Sequence, residues 1–201
     1  DLQSALRKKT PPNFFWRIAD DVSNGMAYLH RKNILHRDIK PANILISGDI
    51  MNGHFDAKLT DFGLAIKHRG SPDEELTAET GTYRWMAPEV IRHENYSFMA
   101  DVYSFGIVLW QLVTHEDPFQ DVSQIVAAGK VAIDNDRPPF PVGTPEHIIS
   151  LIKKCWDEDP RERLDFSVMT LVLEEIRTSL TGEELAWMSC SQGHPVYSLV
   201  K

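Results

Sequence analysis

The sequence predicts one mostly helical domain with a small β-hairpin inserted early. Three observations carry that expectation. Apolar residues recur at intervals of three and four along most of the 201 residues. Two short strand-like runs, Ile44-Leu45-Ile46 and Ala57-Lys58-Leu59, flank the turn-rich segment SGDIMNGHFD with its Asn52-Gly53 pair. The composition, 42% hydrophobic and 25% charged, suits a globular chain with room for one sizeable core.

The opening residues, DLQSALRKK, read as the interior of a helix, and the chain therefore as an excerpt from a longer protein. Pro11, Pro12 and Asn13 then signal a new start. Phe14, Phe15, Ile18, Val22, Met26 and Leu29 form the apolar face of a helix over residues 13–31. The hairpin follows. Residues 67–82 are polar, without an apolar period, and read as a long surface loop. Ser97 is placed to cap a helix reaching His115, apolar on nearly every side and so buried. Asp121 is placed to cap a short helix ending near Val131, and Arg137-Pro138-Pro139-Phe140-Pro141 is a rigid connection. Thr144-Pro145-Glu146 opens a helix to Trp156, and Asp165 opens another to Thr178. A short helix over residues 182–188 is expected near the end.

The net charge of −8, with no Lys/Arg stripe, argues against a nucleic-acid partner. The longest apolar run, residues 105–113, is interrupted by Gln111 and falls well short of the roughly 20 residues a membrane span needs. Cys155 and Cys190 are the two cysteines, which suggests a reducing compartment rather than a disulfide scaffold. The expected location is the cytoplasm, or the cytoplasmic side of a membrane-tethered parent.

Three polar clusters sit at the junctions of this scaffold. The first is His36-Arg37-Asp38 with Lys40 and Asn43, in LHRDIKPANILI. The second is Asp61-Phe62-Gly63, and the third is Gly81-Thr82 with Ala87-Pro88-Glu89. Taken singly, Asp38 and Asn43 read as well as loop-capping residues. Taken together and in this order, the clusters resemble the signature set of eukaryotic protein kinases, over residues 1–180.

That resemblance implies a protein-kinase-like C-terminal lobe over residues 1–180, with 181–201 as a C-terminal extension. It also implies phosphoryl transfer from ATP, with Mg²⁺, to a protein substrate, a chemistry that asks mainly for positioning and charge neutralisation. Asp38 would accept the proton of the substrate hydroxyl, and Lys40 would steady the γ-phosphate. Asn43 and Asp61 would offer hard oxygen ligands to Mg²⁺, Leu45 would lie under the adenine ring, and Gly63 would let the chain turn after Asp61. His36 reads as structural, packed on Phe62. Glu89 is expected to pair with Arg163, although Leu164 stands where the kinase pattern commonly has a proline. Asp101 is expected to start the buried helix and hydrogen-bond the catalytic loop from below. Met26, Trp85, Trp110 and Trp156 read as core or support.

Tyrosine kinases usually carry an Ala-Ala-Arg pattern after the catalytic Asp, and this chain has Ile39-Lys40-Pro41-Ala42 instead. Lys40 and Thr82 follow the serine/threonine pattern, with Thr82 placed to bridge Asp38 and Lys40. GTYRWMAPEV and KKCWDEDPRER have a tyrosine-kinase flavour. The mixture resembles the tyrosine-kinase-like group of serine/threonine kinases, Raf-like and mixed-lineage kinases among them, with dual specificity as an alternative. No G-x-G-x-x-G loop and no V-A-I-K lysine occur in the sequence, so the N-lobe of the parent kinase is expected to lie outside this chain. A truncated, noncatalytic kinase-like binding module is the other reading. The interval from Asp38 to Asp61 is somewhat longer than usual, and the excess fits in the hairpin turn. Arg37, just before Asp38, is expected to meet a phosphate on the 67–82 loop, with Thr77 or Thr80 as acceptor ahead of Ser71. Changing Thr77 and Thr80 together to Ala should lower the activity of the full-length enzyme in a peptide-phosphorylation assay, and unchanged turnover would contradict the assignment.

Overall fold

The computed structural model describes residues 1–67 and 83–189. In chain order the elements are α1 (Leu2–Ala5), α2 (Phe14–Arg31), β1 (Ile34–Leu35), β2 (Ile44–Asp49), β3 (His54–Leu59), β4 (Ile66–Lys67), α3 (Pro88–Ile91), α4 (Met99–Thr114), α5 (Gln124–Ala132), α6 (Glu146–Cys155), α7 (Phe166–Ser179) and α8 (Gly182–Ser189). The mostly helical architecture is the expected one. α4 is the buried axis: Val102, Tyr103, Phe105, Ile107, Val108 and Leu109 are all enclosed. Its apolar surface on every side lets α2, α6 and α7 bury their own stripes against a common core. Met26, Trp110 and Trp156 belong to that core, and Trp85 packs against it. Among the described residues, no helix is long and apolar enough to cross a membrane.

The hairpin strands reach further than the two apolar runs. β2 and β3 pair antiparallel from Ile44↔Leu59 to Asp49↔His54. They close over residues 50–53, where Gly53 takes a φ of 71° and Asn52 Nδ2 donates to Asp49 Oδ2 at 2.6 Å. A second pairing, β1 with β4, was not foreseen. Two residues per strand are too few to show a period of two. Lys67, read as the first residue of the polar loop, is instead the strand partner of Ile34.

Several expected boundaries move. In the first segment α1 ends at Ala5 instead of running on to Lys9, and the Asp1 carboxylate accepts from Ser4 N at 2.7 Å. Asp121 does not cap α5. Arg84 donates to the carbonyls of Pro118, Phe119 and Val122, and Phe119 is left-handed, so residues 118–122 are held in a turn. Ser123 takes over as cap, accepting from Val126 N at 3.3 Å. Thr144 donates its hydroxyl to Pro141 O at 2.8 Å, leaving Pro145 at the start of α6 without a side-chain cap. Ser97 Oγ accepts from Met99 N, but Phe98 is the N-cap position of α4. Asp165 caps α7 as expected, through Ser167 N at 2.6 Å.

α4 and α6 approach closely at Gly106. A Cβ on Gly106 would lie 2.7 Å from the Cβ of Cys155, whose thiol burial pushes up to about 12. Gly106→Ala is therefore expected to cost about 1–3 kcal/mol by overpacking. Urea denaturation followed by circular dichroism checks this, and an unchanged midpoint would contradict it.

Candidate active site

The chain leaves α2 through one left-handed residue, Asn33, and after β1 meets a second, Arg37, with φ of 70°. A non-glycine residue keeps such a conformation only where its surroundings hold it there. Here the holder is the carboxylate of Asp101, in the first turn of α4 and 2% exposed. Its Oδ2 accepts from His36 N at 2.9 Å and its Oδ1 from Arg37 N at 2.8 Å. Backbone donors and the helix N-terminus together offset the cost of burying that charge. The Arg37 guanidinium lies over the Tyr96 ring, 6.0 Å from its centroid.

Beyond Asp38 the backbone extends at Lys40 and then tightens into a single 3₁₀ turn, Pro41–Asn43. Proline suits the first position of such a turn because its φ is already set and no N–H is needed. The turn brings three side chains together. Lys40 Nζ lies 2.9 and 2.7 Å from the two carboxylate oxygens of Asp38. Asn43 Nδ2 donates to the carbonyl and to Oδ2 of Asp38, both at 2.8 Å. Asp38 and Asn43 are buried. The carboxylate is thus gripped from two sides by charge-assisted bonds.

The second cluster is delivered by the hairpin. Thr60 N donates to Asn43 O at 3.0 Å, which ties the end of β3 to the start of β2, and Asp61 follows at once. Asp61 is left-handed, and its Oδ1 accepts from Gly63 N at 3.3 Å. A Cβ on Gly63 would come within 3.2 Å of that oxygen, so a larger residue would push the Asp61 carboxylate aside by a few tenths of an ångström. His36 links the two clusters. Its Nε2 donates to Thr60 O at 3.1 Å, its Nδ1 accepts from Asp38 N at 3.4 Å, and its ring packs against Phe62 at 5.1 Å. Both ring nitrogens are engaged, which fits the structural role read for His36. Leu45 and Phe62 are 47% and 48% exposed beside these groups.

The donor set suits a hard cation. Among the described residues, no three His, Cys, Asp or Glu side chains gather to hold a metal ion. Asp61 is an exposed carboxylate, and Asn43 spends its Nδ2 on Asp38, leaving its amide oxygen as the atom able to face an ion. One carboxylate, one amide oxygen and non-protein oxygens match the way Mg²⁺ is usually held.

Beneath the site, Arg163 donates to both oxygens of Glu89 at 2.6 and 2.9 Å. It also reaches Asp157 O at 2.8 Å and Met99 O at 3.0 Å. The Tyr103 ring lies 5.2 Å from the guanidinium carbons of both Arg163 and Arg137. Burial pushes its hydroxyl up to about 12. Leu164 in the usual proline position leaves the ion pair undisturbed. Trp85 Nε1 donates to Gln111 Oε1 at 2.6 Å, and Ser104 Oγ donates to Trp85 O at 2.7 Å.

Of the residues singled out from the sequence, Asp38, Lys40, Asn43 and His36 meet directly, with Asp61, Phe62 and Gly63 alongside. Asp101 supports the turn, and Glu89 with Arg163 anchors the segment after residue 83. Thr77, Thr80, Thr82 and Ser71 lie outside the described residues. Sequence reasoning missed Gln111, Arg84 and His30. Gln111 had a signal, since a lone amide in an apolar helix needs a partner. The other two carried none.

Residues 2–174 match the family described as protein kinase domain. The chain is 42% identical over 179 residues to serine/threonine/tyrosine-protein kinase HT1 of Arabidopsis thaliana, covering 87% of this chain and 44% of that protein. It is 39% identical over 193 residues to serine/threonine-protein kinase STY46 of the same plant, covering 94% and 32%. It is 40% identical over 178 residues to human mitogen-activated protein kinase kinase kinase 10, covering 86% and 18%. The chain belongs to the eukaryotic protein kinase family, in its tyrosine-kinase-like group. It spans less than half the length of these relatives.

Breaking the buried ion pair should be costly. Arg163→Met leaves the Glu89 carboxylate enclosed and unpaired, and the expected loss is about 3–5 kcal/mol. The double variant with Glu89→Gln should recover part of it. Urea midpoints check both, and a double variant as unstable as the sum of the singles would contradict a direct coupling.

Proposed function

We propose that this chain carries the phosphoryl-transfer machinery of a serine/threonine protein kinase, which moves the γ-phosphoryl group of ATP to a hydroxyl of a protein substrate. One observation carries the reading: Asp38, Lys40 and Asn43 are interlocked in a single turn, with Asp61 at the end of the adjoining strand. The Asp38 carboxylate takes the proton of the substrate hydroxyl as it attacks. Lys40 sets a positive charge beside it, where negative charge gathers on the transferred group. Asn43 and Asp61 are the residues that would hold Mg²⁺, which when bound neutralises charge on the phosphates. Leu45 offers an exposed apolar surface for the adenine ring.

The parts assigned to Thr82 (bridging Asp38 and Lys40) and to Arg37 with phosphorylated Thr77 or Thr80 rest on the sequence pattern. Lys40-Pro41-Ala42 supports serine or threonine as acceptor. Dual specificity is the second reading, favoured by the name of the Arabidopsis relative, which includes tyrosine. We divide the chain into a kinase C-lobe at 1–180 and an extension at 181–201. We place an N-lobe with the Gly-rich loop and strand lysine outside these residues. Two exposed apolar side chains at the site, Leu45 and Phe62, support a partner that covers them. The free thiol of Cys155 supports a cytoplasmic location, or the cytoplasmic side of a tethered parent. A noncatalytic binding module remains the competing class.

Asp38→Asn in the full-length protein separates the two classes. Its kcat should fall roughly 10²–10⁴-fold, with the thermal midpoint little changed. Full turnover by the variant would overturn the assignment of Asp38. The 201-residue chain alone is expected to show little or no ATP turnover, and measurable phosphotransfer by it would overturn the need for an N-lobe.

A further inference from the structure

We infer that the outward face of α5 is a self-association surface, covered by the same face of a second copy of this chain. α5 packs against α3 and residues 83–85, and it buries Ala127, Ala128 and Val131. At about 100° per residue, Ile125, Val126, Gly129, Ala132 and Ile133 all fall within about 60° of the opposite direction. Ile125 is 78% exposed, Val126 49% and Ile133 83%. A Cβ on Gly129 would meet nothing within 4 Å. Ile133 lies one residue past the helix, yet its N–H donates to Gly129 O at 2.9 Å, so it continues the stripe. A surface helix ordinarily turns a polar face to water, and α5 is apolar both inside and out. Contiguous exposed apolar faces of this kind mark interaction sites.

Symmetry and charge identify the occupant. The stripe reads the same in both directions about Gly129, with an isoleucine four residues away on either side and Val126 and Ala132 nearer in. A second copy laid antiparallel, with a two-fold axis at Gly129, sets Ile125 of each copy against Ile133 of the other. Val126 then meets Ala132 in the same reciprocal way, as an isologous contact requires. Glycine on the axis lets the two backbones approach closely. An acidic or basic partner finds no counter-charge on the stripe. Lys130 beside it is already paired with Asp136 at 3.0 Å, so bringing two copies together strands no charge. Both helix ends are fixed, Ser123 Oγ accepting from Val126 N and Arg92 donating to Ala132 O at 3.0 Å, which leaves little order to be gained on binding. The nine residues span about 14 Å, too short for the roughly 800 Å² per partner of a standard stable interface. The pairing is therefore weak and concentration-dependent, and it seats the second copy beside the segment that leaves the 67–82 loop.

Sedimentation equilibrium of the full-length protein, from about 1 μM to about 1 mM, tests this over the range in which small interfaces associate. The weight-average mass should climb toward that of a dimer. Ile125→Asp should weaken association at least about tenfold, because it sets a charge where an apolar side chain would be buried. Gly129→Leu should do the same by holding the two helices apart. Both positions are open in the single chain, so neither change should lower the thermal midpoint. Ile125→Asp combined with Ile133→Lys in one chain should recover association, since the two positions face each other across the axis. A monomer at every concentration would overturn the inference, as would a dimer that Ile125→Asp and Gly129→Leu leave intact. A double variant no tighter than Ile125→Asp alone would overturn the antiparallel pairing. A monomeric protein in which Ile125→Asp raises KM for a protein substrate would assign the face to that substrate and overturn the second copy as its occupant.

Discussion

The carboxylate of Asp101 is where the core and the site meet. It is buried at the head of α4, the axis on which the helices pack, and it faces the backbone of His36 and Arg37. Without it, the left-handed Arg37 would have no reason to stay left-handed, and Asp38 would lose its fixed direction. A buried charge is expensive, and an isolated one here would be strongly destabilising. Three donors and the N-terminal end of α4 make it tolerable, so the groups that stabilise the carboxylate are the ones it positions.

The rest of the site divides the work between rigid and open parts. The Pro41–Asn43 turn and the β2–β3 register fix Asn43 against the end of β3, so Asp38 and Asp61 are carried by two structures that share hydrogen bonds. His36 bridges the same two structures through Thr60 and Phe62. On the other side, Leu45, Phe62 and Asp61 face outward. An arrangement that is locked beneath and open above suits a site whose chemistry lies mainly in placing charges around a bound phosphate.

How much of this could be read from the chain alone depends on range. α2 emerges from apolar periodicity, α4 from its continuous apolar run and α7 from the Asp165 cap, because a helix writes these signals within a few residues. The clusters around Asp38 and Asp61 were also readable, since their members are close in sequence. The short pairing of β1 with β4 was not, because two residues carry no period. The cap of α5 was misplaced because Arg84, far along the chain, holds residues 118–122 in a turn. His30 escaped for the same reason: its partner lies 71 residues away, and nothing near it in the sequence records that contact.

The central claim is that one turn and one strand end converge on a single phosphate and metal site. Titrating Mn²⁺ with ATP into the isotope-labelled full-length protein tests it most directly, because a paramagnetic ion broadens signals only from nearby nuclei. The account expects selective broadening of the Asn43 side-chain amide and the Gly63 backbone amide, abolished by Asp61→Ala. Broadening confined to the acidic surface at residues 157–159, or equal broadening at Asn43 after Asp61→Ala, would contradict it.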